Sequence, residues 1–329
     1  MAMTELDAAI APYVEEPPLS ADVDLQRVGR YRGYGEVLAA LAALRERGAR
    51  VEVAGRSHEG APLLRVEIGA PDAPRGSLML AGTHAMEWIG VETALAILEA
   101  AASAPRARRL VAFPLVNPDG YRRAERDLRS GRRLRFVRAN ARGVDLNRNW
   151  PTHWKTTRLV PRLLPLLGSA GSAPGSEPEV RVILDTITDV KHAGATRLER
   201  ALSLHSFGAM LLLPYGGRFA LPPEHDRLVA IAREVRSAIR ASGRRGSRYG
   251  VRTCSRWAPG FFAHGMELDH LLHEGMEPLL VECSRGGLSL FDPSSWLVPF
   301  RWYNPRRPAR HVAELEHALV PFLGYPAAR

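Results

Sequence analysis

Short apolar runs alternate with stretches of helical period along most of this chain, and that alternation limits its fold more than any single motif. The runs Arg50–Ala54, Leu63–Ile68, Leu78–Ala81, Leu110–Val116, Leu202–His205, Met210–Pro214 and Pro278–Cys283 have the length and content of strands. Between them, Val37, Leu38, Leu41 and Leu44 recur at helical spacing from Gly35 to Gly48, where the glycine stops the helix. Further helices are expected over Gly90–Ala102, Val180–Val190, Pro223–Ala241 and Arg310–Phe322. Val180–Val190 is led in by Ser176-Glu177-Pro178-Glu179, a capping residue followed by a proline suited to a first turn. Strands alternating with helices imply an α/β fold: one domain built on a mixed, largely parallel, twisted sheet flanked by helices. Arg122–Ala141, Thr152–Gly175 and Gly243–His273 read as loops, and loops of that length inside a compact domain tend to be functional. Residues 1–25, acidic and carrying Pro12, Pro17 and Pro18, read as an arm ahead of a domain spanning 26–329.

The charge balance first invites a nucleic-acid partner and then argues against one. The formal charge is +10 and the isoelectric point about 10.2, yet Lys155 and Lys191 are the only lysines among 45 basic residues. So heavy a bias toward arginine reflects coding composition more than a selected phosphate-binding face. The arginines do cluster from Arg106 to Arg148, either as a solvated face or as a rim that steers anions toward a site. No interleaved aromatics and no helix-turn-helix pattern accompany them, so no nucleic-acid partner is expected. No run approaches the roughly 20 apolar residues of a membrane span. The first 30 residues lack a basic start followed by an apolar segment, and two cysteines, Cys254 and Cys283, make no disulfide framework. A cytoplasmic protein is expected.

Three chemically unusual features fall at strand ends. After Leu78–Ala81 comes Gly82-Thr83-His84-Ala85-Met86-Glu87-Trp88, where a tight turn can aim an imidazole and a carboxylate at one point. His205 ends the apolar run of Leu202–His205, and Glu282 ends that of Pro278–Cys283. A carboxylate there is unfavourable to bury without a partner or a task. Each feature alone has a plain structural explanation. Together they suggest a catalytic zinc site, because two histidines and one glutamate bind zinc while leaving a position for water, with a second glutamate as base.

Five segments then carry a resemblance: Gly82–Trp88, Val116-Asn117-Pro118-Asp119-Gly120-Tyr121, Gly143-Val144-Asp145-Leu146-Asn147-Arg148-Asn149-Trp150, Leu204-His205-Ser206-Phe207 and Val281-Glu282. In order and spacing they resemble the zinc carboxypeptidases of the carboxypeptidase A type, over roughly Gln26 to the carboxy terminus. The resemblance implies one zinc ion per chain held by His84, Glu87 and His205, and Glu282 as the base that takes a proton from water and gives it to the leaving amine. It implies Asp145 as the carboxylate that orients His84. Asn147 and Arg148 would hold the substrate's terminal carboxylate, since a guanidinium fork matches a carboxylate bidentately. Arg138 would stabilise the oxyanion, with Arg135 and Arg142 as the other candidates in that loop. Asn117–Gly120 is expected to be a supporting turn.

The sequence also departs from the family pattern. Met86 stands where the digestive enzymes carry an arginine, which removes one polar substrate contact. Phe261 falls where the family has a capping tyrosine and brings no hydroxyl; His264 is the nearest possible substitute. Leu268 is expected at the base of the side-chain pocket, favouring apolar terminal residues, although a slip of one residue would put Glu267 or Asp269 there and favour basic ones. The expected activity is removal of one carboxy-terminal residue from peptides. The alternatives are hydrolysis of N-acyl amino acids and trimming of cell-wall peptides, both with a free carboxylate on the substrate.

Overall fold

The computed structural model describes residues 4–104, 108–131, 135–156, 168–242, 248–256, 262–287 and 295–326. Eight strands form one sheet: β1 (Arg50–Arg56), β2 (Pro62–Ile68), β3 (Arg75–Ala81), β4 (Arg109–Phe113), β5 (Arg197–His205), β6 (Met210–Leu213), β7 (Gly250–Thr253) and β8 (Glu277–Glu282). Their order is β1-β2-β4-β3-β5-β8-β6-β7. The four central strands, β4, β3, β5 and β8, are mutually parallel, whereas β1 pairs antiparallel with β2, β2 with β4, and β6 with β8.

The helices are α1 (Glu5–Val14), α2 (Leu25–Val28), α3 (Tyr34–Ala43), α4 (Trp88–Ala102), α5 (Pro118–Arg129), α6 (Pro178–His192), α7 (His225–Ala241), α8 (Glu267–His273), α9 (Pro299–Tyr303) and α10 (Pro308–Phe322). Side chains alternate across the pleat. Met79, Ala81, Leu202, Leu204, Leu279 and Val281 join the core cluster that contains α4 and α10 residues, while Leu78, Leu80 and Ala201 join one with Val180, Ile183 and Ile187 of α6. With both faces covered, central strands must be apolar at every position, which is why they read as unbroken hydrophobic runs. No helix among the described residues is long and apolar enough to cross a membrane.

Two expected loops contain regular structure. The first part of Arg122–Ala141 lies in α5, and Asn117–Gly120 is not an isolated turn but the start of that helix, where Gly120 N donates to Asn117 Oδ1 at 2.9 Å. Only Tyr121, Ala124 and Leu128 give α5 an apolar stripe, so the surrounding arginines hide its period. The stretch Gly243–His273 contains β7 and α8. The described part of the expected arm, residues 4–25, docks against the domain: Leu6 and Ile10, one turn apart on α1, are buried with Leu19 and Val23 in the main core. Glu36 at the start of α3 accepts from Leu19 N at 3.0 Å and from Gly33 N at 2.9 Å, tying that segment down. Two apolar positions in a proline-bearing, acidic stretch gave too weak a period to announce a helix.

At Gly90 on α4, an added Cβ would lie 2.8 Å from the backbone oxygen of Leu204, the residue before the end of β5. Helix and strand touch backbone to backbone here. Gly90→Ala is therefore expected to lower stability by about 1–3 kcal/mol, as overpacking does. A urea midpoint equal to the native protein's would contradict this packing.

Candidate metal centre

The parallel register fixes where the polar strand ends meet. Ala81 pairs with Leu204, and His205 pairs with Glu282, so β3, β5 and β8 deliver their carboxyl ends side by side. This is the edge where parallel sheets hold ligands. Beyond β3 the chain turns at Gly82, whose left-handed φ of +65° favours glycine. That turn carries His84, and Glu87 occupies the N-cap of α4.

The three side chains converge. His84 Nδ1 lies 2.8 Å from Glu87 Oε1, His205 Nδ1 lies 2.9 Å from Glu87 Oε2, and the two Nδ1 atoms are 3.1 Å apart. Bonds of about 2.1 Å to a tetrahedral zinc would set donors about 3.4 Å apart, so a small outward movement admits the ion. The far nitrogens are held by carboxylates: His84 Nε2 meets Asp145 Oδ1 at 3.0 Å, and His205 Nε2 meets Glu267 Oε1 at 2.5 Å. Each imidazole thus presents Nδ1 inward with its ring fixed from behind, the arrangement that suits a metal-binding histidine. The set is buried, two nitrogens and one carboxylate, and fits zinc with a position left open.

Electrostatics follow from the crowding. Burial disfavours the charge on Glu87, but the imidazoles of His84 and His205 outweigh it and hold the carboxyl far below its usual range. Burial likewise opposes charge on His205, yet Glu267 and Glu87 raise it well above the ordinary histidine value. Asp145 is kept low against burial by Arg138, His84 and Arg148. Glu282 goes the other way: burial, then the Glu87 carboxylate, pushes it up to about 8. Its Oε2 is buried and has no hydrogen-bond partner.

These groups open into a cleft of about 370 Å³ lined by His84, Glu87, His205, Glu282, Arg138, Asn147 and Arg148. Arg138 Nε donates to Asp145 Oδ2 at 2.9 Å. Neither alternative from its loop lines the cleft, and Arg135 pairs with Asp127 instead. Of the arginine cluster, only Arg138 and Arg148 reach the cleft among the described residues; Arg122 lies over the Tyr13 ring and Arg129 pairs with Glu125 and Asp22. Asn147 Oδ1 accepts from Glu267 N at 3.0 Å, which leaves its NH₂ as the group it can offer a ligand. Met86 faces the core, where its sulfur accepts from Val137 N.

Leu268 is not at the base of the cleft. It is fully buried behind an apolar wall of Leu212, Cys254, Ala263, Met266 and Leu280, because α8 begins at Glu267 and turns Leu268 into the protein. Neither neighbouring acid lines the cleft: Glu267 holds His205, and Asp269 accepts from Gly216 N and Gly217 N at 2.8 and 2.9 Å. Phe261 lies outside the described residues, and His264 is not among the lining residues. Two groups, one behind His205 and one lining the cleft, have no sequence signal of their own. Glu267 was visible only as a neighbour of Leu268, and Tyr303 arrives from α9, far along the chain, to line the cleft beside Arg138 and Glu282. Burial, then Glu87, pushes the Tyr303 phenol up to about 12, so it stays a hydrogen-bond donor at neutral pH.

The sequence pattern of the zinc carboxypeptidase family matches residues 34–261, more than half of the chain. The chain belongs to the zinc carboxypeptidase family. This is a family of peptide-bond hydrolases that bind one zinc ion, and His84, Glu87 and His205 form a group whose donor atoms lie close enough together to hold a metal. Mast cell carboxypeptidase A of Mus musculus is 29% identical over 199 residues, which are 56% of this chain and 46% of that protein. Carboxypeptidase O of Bos taurus is 27% identical over 68% of this chain and 62% of its own length. The chain thus spans about half to two thirds of these relatives. Bovine thrombin-activatable fibrinolysis inhibitor, solved in complex with tick carboxypeptidase inhibitor, shares the fold with a TM-score of 0.69 and 21% identity, over 89% of this chain and 97% of that one. Murein-tripeptide amidase from Escherichia coli O157 shares it at 0.53 and 22% identity, over 87% and 97%.

The Glu267–His205 contact makes a specific expectation. Loss of a carboxylate behind a metal-bound histidine typically costs 10–100-fold in affinity, so Glu267→Gln is expected to weaken zinc binding by roughly that factor at alkaline pH. A proton on His205 competes with the metal, and Glu267 raises its affinity for that proton; the variant should therefore begin losing zinc at a lower pH than the native protein. Chelator competition across a pH series reads both effects. Identical curves would contradict the contact's role.

Proposed function

We propose that this chain is a zinc exopeptidase that hydrolyses the carboxy-terminal peptide bond of peptides. The observation that carries the reading is Glu282: a half-buried residue whose carboxyl oxygen Oε2 is buried and unpartnered, next in register to His205 and lining a cleft that also holds Asn147 and Arg148. Bound zinc supplies a Lewis acid that polarises a carbonyl and makes water more acidic. Glu282 accepts the proton of the attacking water at its free Oε2 and returns it to the leaving amine. A cation held by His84, Glu87 and His205 would lower the raised proton affinity of Glu282, as this exchange requires.

Arg138, aligned by Asp145, offers its remaining guanidinium donors to the oxygen that gains charge as the carbonyl is attacked. Arg148 and the Asn147 NH₂ hold the terminal carboxylate, offsetting its desolvation with charge-assisted bonds. The wall of Leu212, Cys254, Ala263, Met266 and Leu280 takes an aliphatic or aromatic terminal side chain. Tyr303, which also lines the cleft, adds a hydroxyl donor near Arg138 and Glu282.

A second reading keeps the metal and changes the substrate to N-acyl amino acids or cell-wall peptides. It is favoured by Met86, which points into the core and leaves no arginine at that position to read the peptide backbone. A cytoplasmic location belongs to the same proposal and rests on two buried, unpaired thiols, Cys254 and Cys283.

Glu282→Gln is expected to keep its zinc and its fold while losing about 10²–10⁴-fold in turnover, the usual contribution of general acid–base catalysis. Metal analysis and kcat on one preparation separate the two effects. Near-normal turnover would mean that another group activates the water.

A further inference from the structure

On the side of the domain where α6 begins, a second group of metal-binding side chains shares no residue with the centre above. His58 sits in the turn Ser57-His58-Glu59-Gly60 between β1 and β2, and Glu177 and Glu179 flank Pro178 at the start of α6. Their donor atoms all lie within 4.8 Å of one another. His58 Nε2 is 2.8 Å from Glu177 Oε2, and Asn140 Nδ2 donates to the same oxygen at 2.8 Å and to Glu179 Oε2 at 3.4 Å. Glu177 is 3% exposed and Glu179 only 1%.

Glu179 is the part that hydrogen bonding within the protein does not complete. Its Oε1 is buried with no partner, and no ion pair to Glu179 occurs among the described residues. Among the described residues, the one ion pair to either of these buried glutamates is that of His58 with Glu177. The nearby Asp119 carboxylate, held by Ser57 Oγ at 2.6 Å and Glu59 N at 2.9 Å, adds repulsion to Glu179. An unpaired carboxylate is costly to bury, so the group needs a proton or a cation.

We propose that His58, Glu177 and Glu179 form a second divalent-cation site, separate from the catalytic centre, that takes zinc or a similar first-row transition ion. One imidazole and two carboxylates are a mixed nitrogen and oxygen set, which suits such ions better than calcium or magnesium, whose sites are built of oxygens. His58 is partly exposed and gives the ion its way in. The consequence reaches the catalytic cleft through Asn140. Its Nδ2 is held by both glutamates, while its Oδ1 accepts from Val144 N at 3.0 Å and its N donates to Val144 O at 2.9 Å. That loop carries Arg138 on one side and Asp145 on the other, so a cation here braces the residues that orient the catalytic groups.

The test uses the full chain, stripped with chelator and dialysed against Zn²⁺ alone, with metal counted by atomic emission. The native protein is expected to hold two zinc ions, His205→Ala one, His58→Ala one, and the double variant none. A second readout guards against misfolded variants: in the His205→Ala background, Zn²⁺ should raise the Tm, and adding His58→Ala should remove that shift. One zinc in the native protein, none in His205→Ala and no shift with Zn²⁺ would overturn the proposal. In that case Glu179 is simply protonated, and Glu179→Gln should keep native stability. Because the count does not depend on peptide turnover, it stands apart from the catalytic reading.

Discussion

A buried chain of alternating acids and imidazoles, Asp145–His84–Glu87–His205–Glu267, is the interaction on which the site depends. Five ionisable groups taken out of water would each be costly alone. Alternation makes every carboxylate the neighbour of an imidazole, and Arg138 closes the chain at the Asp145 end. The order also fixes geometry. Each outer carboxylate holds one ring by its Nε2, leaving both Nδ1 atoms and Glu87 directed at a single point. Glu282 stands outside this chain, and its raised proton affinity and free oxygen come from that exclusion.

The sheet supplies the frame that keeps this chain in register. His205 and Glu282 are paired neighbours on β5 and β8, and Glu87 is held against β5 by the close approach of Gly90 to Leu204. Ser206 N donates to Glu87 Oε2 at 3.0 Å, so the strand end and the helix start share one carboxylate. The apolar strands on either side exclude water, and it is this dryness that makes the charges in the cleft strong. On the far side of the loop that carries Arg138 and Asp145, Asn140 ties the same frame to the start of α6.

The central strands were legible because burial on both faces leaves a continuous apolar run, and a polar residue ending such a run stands out. That is how His205 and Glu282 could be picked without coordinates. His84 and Glu87 stand out by their spacing in a turn after a strand, whereas Asp145, Asn147 and Arg148 follow from the family resemblance alone. What the sequence hid has physical reasons. Helix α5 buries a stripe of only three apolar residues amid arginines, and α1 relies on two apolar residues and contacts to a distant helix. Leu268 was misjudged because one helical residue's rotation at α8 decides whether a side chain faces the cleft or the core. Glu267 and Tyr303 act through tertiary contacts across 62 and 97 residues, to His205 and Ser206, and no local pattern encodes them.

The central claim is that this cleft reads a free carboxylate beside an activated water. The most direct measurement is mass-spectrometric analysis of peptides incubated with the native zinc-loaded chain, each offered as the free acid and as its carboxy-terminal amide. The account predicts release of a single terminal residue from the free acids and no cleavage of the amides. Equal cleavage of both forms, or cuts at internal bonds, would contradict it.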